Sequence, residues 1–247
     1  LELVHGSDAV IHVAGVVNAP DRAAFEAGNV HGTIAMVEAA KQAGVERFIH
    51  VSSLAAREPD LSDYGWSKAK AEQVVAASGL DWTMVRPPWV YGPGDLDTLD
   101  LFKIARSGFL IMPPLGKTSV IEVSDLARLL LALIPDDNAR AEIYEPDDGE
   151  AEAWTNASFG RAIGWSLDKR ISILHMPRWL MEFAAKGDRL FRGRKAKLTA
   201  DRVSYMCHPD WTVDPAKRPP PSIWQPQVKT RAGLKTTARA YRDAGLM

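Results

Sequence analysis

Residues 47–68 read Arg47-Phe-Ile-His-Val-Ser-Ser53, then Leu-Ala-Ala-Arg-Glu-Pro-Asp-Leu-Ser-Asp63, then Tyr64-Gly-Trp-Ser-Lys68. A short apolar run that closes on serines is the pattern of a strand covered on both faces. The segment Tyr64 to Ser78, stopped by Gly79, reads as the helix that follows it. The same alternation extends outward in both directions. Upstream, Ala9-Val-Ile-His-Val-Ala14 predicts a buried strand, and Ala23 to Ala43 a helix with Val30, Ile34, Val37 and Ala40 at helical spacing, ending at Gly44. Downstream, Trp82-Thr-Met-Val-Arg86 predicts a third strand. Short apolar runs alternating with amphipathic helices specify an α/β fold with a parallel sheet.

Further on, Pro87-Pro88 and Pro93 predict a rigid extended loop. Leu96 to Ser107 reads as a helix, Thr118 to Val123 as a strand, Asp125 to Leu133 as a helix, and Ile143-Tyr144 as the start of another strand. From about residue 150 the chain becomes aromatic-rich and less regular, with tryptophans at 154, 165, 179, 211 and 224 and the run Pro219-Pro-Pro221. Two regions are expected, 1–150 around the sheet and 151–247 as a C-terminal cap that closes with a helix over Ala232 to Ala244.

Tyr64 and Lys68 stand one helical turn apart, so a phenol and an ammonium share one face. A nearby ammonium stabilises phenolate and lowers a tyrosine pKa from its usual ~10, which suits a proton donor and acceptor near neutrality. Alone, the spacing also fits an ordinary surface helix. Its context is richer. Ser52 and Ser53 end the preceding strand, where a hydroxyl can polarise a substrate carbonyl. His12-Val-Ala-Gly15 ends the strand before that, and Asn29-Val-His-Gly-Thr33 lies in the helix after it. Arg86-Pro-Pro-Trp-Val-Tyr-Gly-Pro-Gly-Asp95 follows the third strand. All of these fall at C-terminal strand ends or in the helices after them, where open α/β sheets bind ligands.

From about Asp8 to Leu133 these motifs resemble the extended branch of the short-chain dehydrogenase/reductase family, also called the NAD-dependent epimerase/dehydratase group. The resemblance implies a Rossmann-type doubly wound sheet, NAD or NADP as cofactor, and a small C-terminal substrate cap. It implies that Tyr64 is the general acid/base, that Lys68 binds the nicotinamide ribose and lowers the tyrosine pKa, and that Ser53 holds the substrate oxygen. Ser52 is the alternative if the register differs by one. Ala14, Gly15 and Val16 would line the cofactor, Asn29 would contact it or hold the strand ends, and Pro88 would meet the nicotinamide amide. Trp89 and Tyr91 fall on the substrate side. His12, inside an apolar strand, reads as a satisfied core residue.

Two features depart from the family. No G-x-G-x-x-G or related run occurs in the 247 residues, and the sequence starts without methionine directly before a buried strand. The expectation is a chain lacking roughly 60 residues that hold the glycine-rich turn and three strands, so that the Ala9–Ala14 strand becomes an exposed edge and cofactor binding is weakened. Trp89 occupies a position where many sugar-nucleotide-processing relatives carry asparagine. An indole removes an amide acceptor and adds an apolar face, which points to a flatter or greasier substrate, or else to a tryptophan that packs beneath the cap.

In the cap, Met176 to Ala185 predicts an apolar helix, followed by Lys186, Arg189, Arg192, Arg194, Lys195 and Lys197. This segment reads as a helix closing the core beside a solvated basic turn, or as a surface resting on a membrane or lining a hydrophobic pocket. Thirty basic against thirty-one acidic residues leave no overall field for nucleic acid. The single cysteine, Cys207, excludes an internal disulfide framework and fits a cytoplasmic protein. No apolar stretch reaches the ~18 residues of a membrane-spanning helix, no leader pattern is visible, and no cysteine or histidine spacing supports a metal site. A small-molecule substrate is expected, and a homodimer is compatible with the sequence.

The leading expectation is hydride transfer between NAD(P)H and a carbonyl or secondary alcohol. A sugar-nucleotide epimerase or dehydratase is the enzymatic alternative. A nucleotide-binding protein without catalysis is the alternative of another class.

Overall fold

The computed structural model describes residues 2–247; the side chain of Lys195, one of the basic residues noted above, lies outside the described residues. Strands β1 (Ala9–His12), β2 (Arg47–Val51) and β3 (Asp81–Val85) pair in parallel, and a fourth parallel strand, β8 (Glu142–Tyr144), joins the free side of β3. The register sets Ile11 beside Ile49 and Ile49 beside Thr83. Side chains alternate across a strand, and both faces of β2 are buried: Phe48 packs with Val37, Ala40 and Val75, whereas Ile49 and Val51 pack with Leu126, Leu129 and Leu133. That two-sided burial is what a doubly wound sheet requires. β1 is an edge strand, and Val13 and Val17 just beyond it are exposed.

The helix after β1 has three parts: α1 (Arg22–Phe25), a π-helical stretch Glu26–His31, and α2 (Gly32–Ala43). The sequence predicts one regular helix here; the wider turn at Glu26–His31 is the difference. Gly44 takes the left-handed conformation at φ +72° and caps the carbonyls of Ala40 and Lys41, as the glycine stop predicts. α3 (Asp63–Ala76) opens on Ser62, whose hydroxyl accepts from the Gly65 amide at 3.0 Å.

The proline loop after β3 is less simple than its sequence. It holds a short strand, β4 (Trp89–Tyr91), before α4 (Leu96–Ala105) and β5 (Phe109–Met112). The run Thr118–Val123 divides into β6 (Lys117–Thr118) and β7 (Val120–Glu122), and β4 pairs in parallel with β7. Local proline chemistry predicts the rigidity of residues 87–93 but not this pairing, which depends on a partner about thirty residues away. α5 (Val123–Ala132) covers the second face of the sheet.

The later chain supplies β9 (Trp154–Thr155), α6 (Asn156–Ser166), β10 (Ser172–His175), α7 (Arg178–Arg192), α8 (Ala200–Met206), β11 (Asp210–Trp211) and α9 (Thr230–Asp243). A second core forms where α6 and α9 pack on α4 and β5: Phe102, Leu110, Phe159, Ile163, Leu234 and Tyr241 meet there. β10 pairs in parallel with β5. Side chains from residues 89–112 therefore pack with those beyond 150. Among the described residues no helix is long and apolar enough to cross a membrane.

One buried charge ties the sheet to its second layer. Arg47, at the start of β2, donates to the Thr83 hydroxyl at 2.8 Å, to the Ile134 carbonyl at 3.1 Å and to the Leu133 carbonyl at the end of α5. A cation at a helix C-terminus satisfies carbonyls that have no partner within the helix. Arg47→Met is expected to lower unfolding free energy by about 2–4 kcal/mol by leaving these acceptors unpaired, measured by urea denaturation; a loss below about 0.5 kcal/mol would contradict that role.

Candidate active site

The candidate residues lie beyond the C-terminal ends of β1 and β2. Beyond β1, Ala14 and Gly15 are exposed in a turn, and Asn29 in the π-helical stretch reaches back to it. The Asn29 side chain accepts from the Val16 amide at 2.7 Å and donates to the Val16 carbonyl at 2.9 Å. It also donates to the Ser67 hydroxyl at 2.8 Å, and that hydroxyl donates to the Tyr64 carbonyl at 2.8 Å. The carboxamide thus fastens the β1 turn to the first turns of α3. π-Helical insertions often aim a side chain in this way.

Close approach explains the glycines. A Cβ on Gly15 would lie 2.9 Å from Asn29 Oδ1 and 3.5 Å from Lys68 Nζ. Gly65, inside the Tyr64–Lys68 motif, lies so near the preceding turn that a Cβ would come within 2.7 Å of the Ala55 carbonyl. Without a side chain there, α3 can settle against residues 54–58 and bring Tyr64 to Ser53.

Ser53 is buried and accepts from the Ala55 amide at 3.2 Å. Burial pushes the phenol pKa up, and the Ser53 hydroxyl pulls it part of the way back. This corrects one expectation: Lys68 does not bring the tyrosine below its ordinary range. Its ammonium donates instead to the Val51 carbonyl at 3.1 Å. Burial lowers the Lys68 pKa to about 8, with Glu72, one turn further along α3, opposing the fall. Glu72 is itself held by Arg86, whose Nε and Nη2 donate to its two oxygens at 2.8 and 2.6 Å. Neighbouring Ser52 is buried, and its hydroxyl has no partner among the described residues.

Ala14, Gly15, Val16, Asn29, Ser52, Ser53, Tyr64 and Lys68 therefore gather at one end of the sheet. Pro88 lies beside them through its neighbour, since the Pro87 carbonyl accepts from the Leu54 amide at 3.2 Å. Trp89 and Tyr91 do not join this group. The Trp89 ring lies 5.0 Å from that of Phe159 and its indole N–H donates to Thr98 at 3.2 Å, so it packs beneath the cap. Tyr91 is fully buried with its hydroxyl donating to the Thr230 carbonyl. Both sit in the second core, because pairing of β4 with β7 turns them there. His12 stays in the core, bonded to the Thr33 hydroxyl at 3.1 Å and stacked on His50, as its apolar setting predicts.

Four contributors escape a reading of the sequence. Ser67 sits within the quoted motif, three residues after Tyr64, and its hydroxyl completes the brace. Tyr205 of α8 meets the Tyr64 ring edge-on with centroids 5.8 Å apart, and Trp211 packs behind Tyr205 at 4.9 Å. Phe25 approaches Tyr64 from another side at 6.0 Å. Aromatic groups thus surround the phenol. The cleft lined by Arg22, Asp63, Trp66, Asp201 and Ser204 lies elsewhere and includes neither Tyr64 nor Lys68.

The arrangement fits a nicotinamide cofactor: the glycine turn leaves a cradle beside Lys68, and the unpartnered Ser52 hydroxyl lies at the same strand ends. Comparison with known proteins agrees. Residues 1–137 match the model of a family described as NAD(P)H-binding. Ceramide reductase of Caulobacter vibrioides is 46% identical over 133 residues, 53% of this chain and 41% of that protein. UDP-glucose 4-epimerase of Vibrio cholerae is 26% identical over 243 residues, covering 87% of this chain and 69% of that one. The match thus spans less than half of the reductase. In fold, the chain is similar to a double mutant of dTDP-glucose 4,6-dehydratase from Streptomyces venezuelae solved with NAD, with a TM-score of 0.72 and 22% identity over 98% of this chain and 75% of that one.

The Lys68 pKa fixes a pH dependence. Folding lowers it from 10.5 to about 8, so near neutrality the folded chain carries the cost of a buried ammonium. Between those two values the unfolded chain holds the proton longer, and stability rises with pH across the window. Lys68→Met is expected to raise unfolding free energy at pH 7 by on the order of 1–3 kcal/mol. In thermal unfolding at a series of pH values, that gain should shrink towards pH 10.5. A loss of stability at pH 7 would contradict it.

Proposed function

The chain belongs to the NAD(P)H-binding family, and on that premise we propose that it is an oxidoreductase acting on a carbonyl or secondary alcohol of a hydrophobic, lipid-like substrate. The observation that carries this reading is the gathering of Ser53, Tyr64 and Lys68 at one end of the sheet, with the Gly15 turn close to Lys68. A protein that only bound nucleotide would have no use for a phenol set one helical turn from a lysine beside a buried serine. The aromatic surroundings of Tyr64 and the 46% identity to ceramide reductase support a lipid-like substrate.

The nicotinamide, when bound, supplies or accepts the hydride. The protein supplies the proton and the alignment. Gly15 gives the ligand room beside Lys68, and the Lys68 ammonium is a donor for ribose hydroxyls. Ser53 holds the substrate oxygen. Tyr64 passes its proton to that oxygen as the carbonyl is reduced, and its raised pKa keeps the phenol protonated for this step. Phe25 and Tyr205 flank the phenol and restrict water, which strengthens these interactions.

A sugar-nucleotide epimerase is the second reading, favoured by the alignment with UDP-glucose 4-epimerase over 87% of this chain. The aromatic rings of Phe25 and Tyr205 beside Tyr64 favour the first reading. NADPH and NADH oxidation is to be followed with a long-chain lipid ketone and, separately, with UDP- and dTDP-sugars. Turnover of the lipid ketone is expected, and Tyr64→Phe should lower kcat by about two orders of magnitude or more. A loss below about fivefold would remove Tyr64 from the proton step.

A further inference from the structure

Helix α7 presents apolar side chains on two opposite sides. Met181 and Ala185 are buried against Val203 of α8. Across the helix, Trp179, Phe183 and Leu190 form one stripe at spacings of four and seven residues, 68%, 71% and 82% exposed, and Phe191 beside them is 89% exposed. A helix on a globular surface ordinarily turns polar residues outward. Four large apolar groups held in water on one helix mark a surface that is covered in use.

Charge identifies the cover. Arg178 pairs with Glu182 at 2.8 Å, Arg192 with Asp188 at 3.3 Å, Arg194 with Asp21 at 3.2 Å and Lys197 with Asp100 at 3.2 Å. Lys186 and Arg189 are exposed and have no ion-pair partner among the described residues. They fall within one turn of Phe183 and Leu190. Apolar groups that can enter the boundary between headgroups and acyl chains, beside free cations that can reach phosphate, match an anionic bilayer. A second copy matches less well, since two-fold pairing of this ridge would bring Lys186 and Arg189 towards their own equivalents. We propose that α7 is a docking helix that seats the protein on an anionic lipid surface through Trp179, Phe183, Leu190 and Phe191.

The docked helix is joined to the candidate active site. Through Met181 and Ala185 it packs on α8, and α8 carries Tyr205 against Tyr64. Asp201 of α8 accepts from the Asp63 amide at the start of α3, fixing the same contact. On the reductase reading, this sets the aromatic cover of Tyr64 next to the membrane that holds a lipid-like substrate.

The test uses the full chain and sucrose-loaded vesicles of phosphatidylcholine with about 30% phosphatidylglycerol, compared with phosphatidylcholine alone. Sedimentation with the anionic vesicles is expected, weakened by added salt. Trp179→Ser with Phe183→Ser, and separately Lys186→Gln with Arg189→Gln, should each weaken it about tenfold or more. These positions face water, and circular dichroism verifies that both variants remain folded. No binding to anionic vesicles, or equal binding by the chain and both variants, overturns the proposal. A dimer in sedimentation velocity that the Trp179→Ser, Phe183→Ser variant loses also overturns it, assigning the face to contact between copies. Vesicle binding reads no turnover, so it can fail while the reductase assay succeeds, and the reverse.

Discussion

The buried carboxamide of Asn29 holds the candidate site together. Its oxygen accepts from Val16, and its two N–H groups go to the Val16 carbonyl and the Ser67 hydroxyl. Its own backbone carbonyl accepts from Thr33, whose hydroxyl meets His12. These bonds join the turn after β1 to α3, thirty-eight residues further along the chain. Away from water, each of them would be costly to leave unmade. Their geometry fixes how near Gly15 comes to Lys68, and so where a ligand can lie.

This assembly trades stability for chemistry. Lys68 is buried with its charge only partly compensated, and among the described residues neither the Ser52 hydroxyl nor the ring nitrogens of His50 have a partner. Burial, with the Lys68 and His12 charges nearby, keeps the His50 pKa well below its ordinary value, so the ring is held neutral. Arg47 and the Glu72–Arg86 pair show the opposite practice, with each polar group met by partners. The unpartnered Ser52 and His50 and the buried Lys68 thus lie near the end of the sheet where the candidate site residues gather.

Much of the scaffold was legible in the sequence because its signals are local. Apolar runs at Ala9, Arg47 and Trp82, the periodicity of Ala23–Ala43 and the stops at Gly44 and Gly79 each depend on a few adjacent residues. The Tyr64–Lys68 spacing was legible for the same reason. What escaped depends on distant partners. β4 exists because β7 lies beside it, and that pairing takes Trp89 and Tyr91 into the second core. Tyr205 reaches Tyr64 from a seven-residue helix in the irregular cap, which no periodicity marks. The π-helical stretch differs from a regular helix only by a widened turn, and its residues look helical either way. The direction of the phenol pKa shift escapes the sequence because it is set by burial, which depends on residues distant in the chain.

The central claim is that the Asn29 brace shapes the cofactor cradle. The dissociation constant of NADPH for Asn29→Ala, measured on folded protein, tests it most directly. Loss of the Val16 and Ser67 bonds should free the Gly15 turn and weaken binding about tenfold or more. An unchanged dissociation constant would contradict the account.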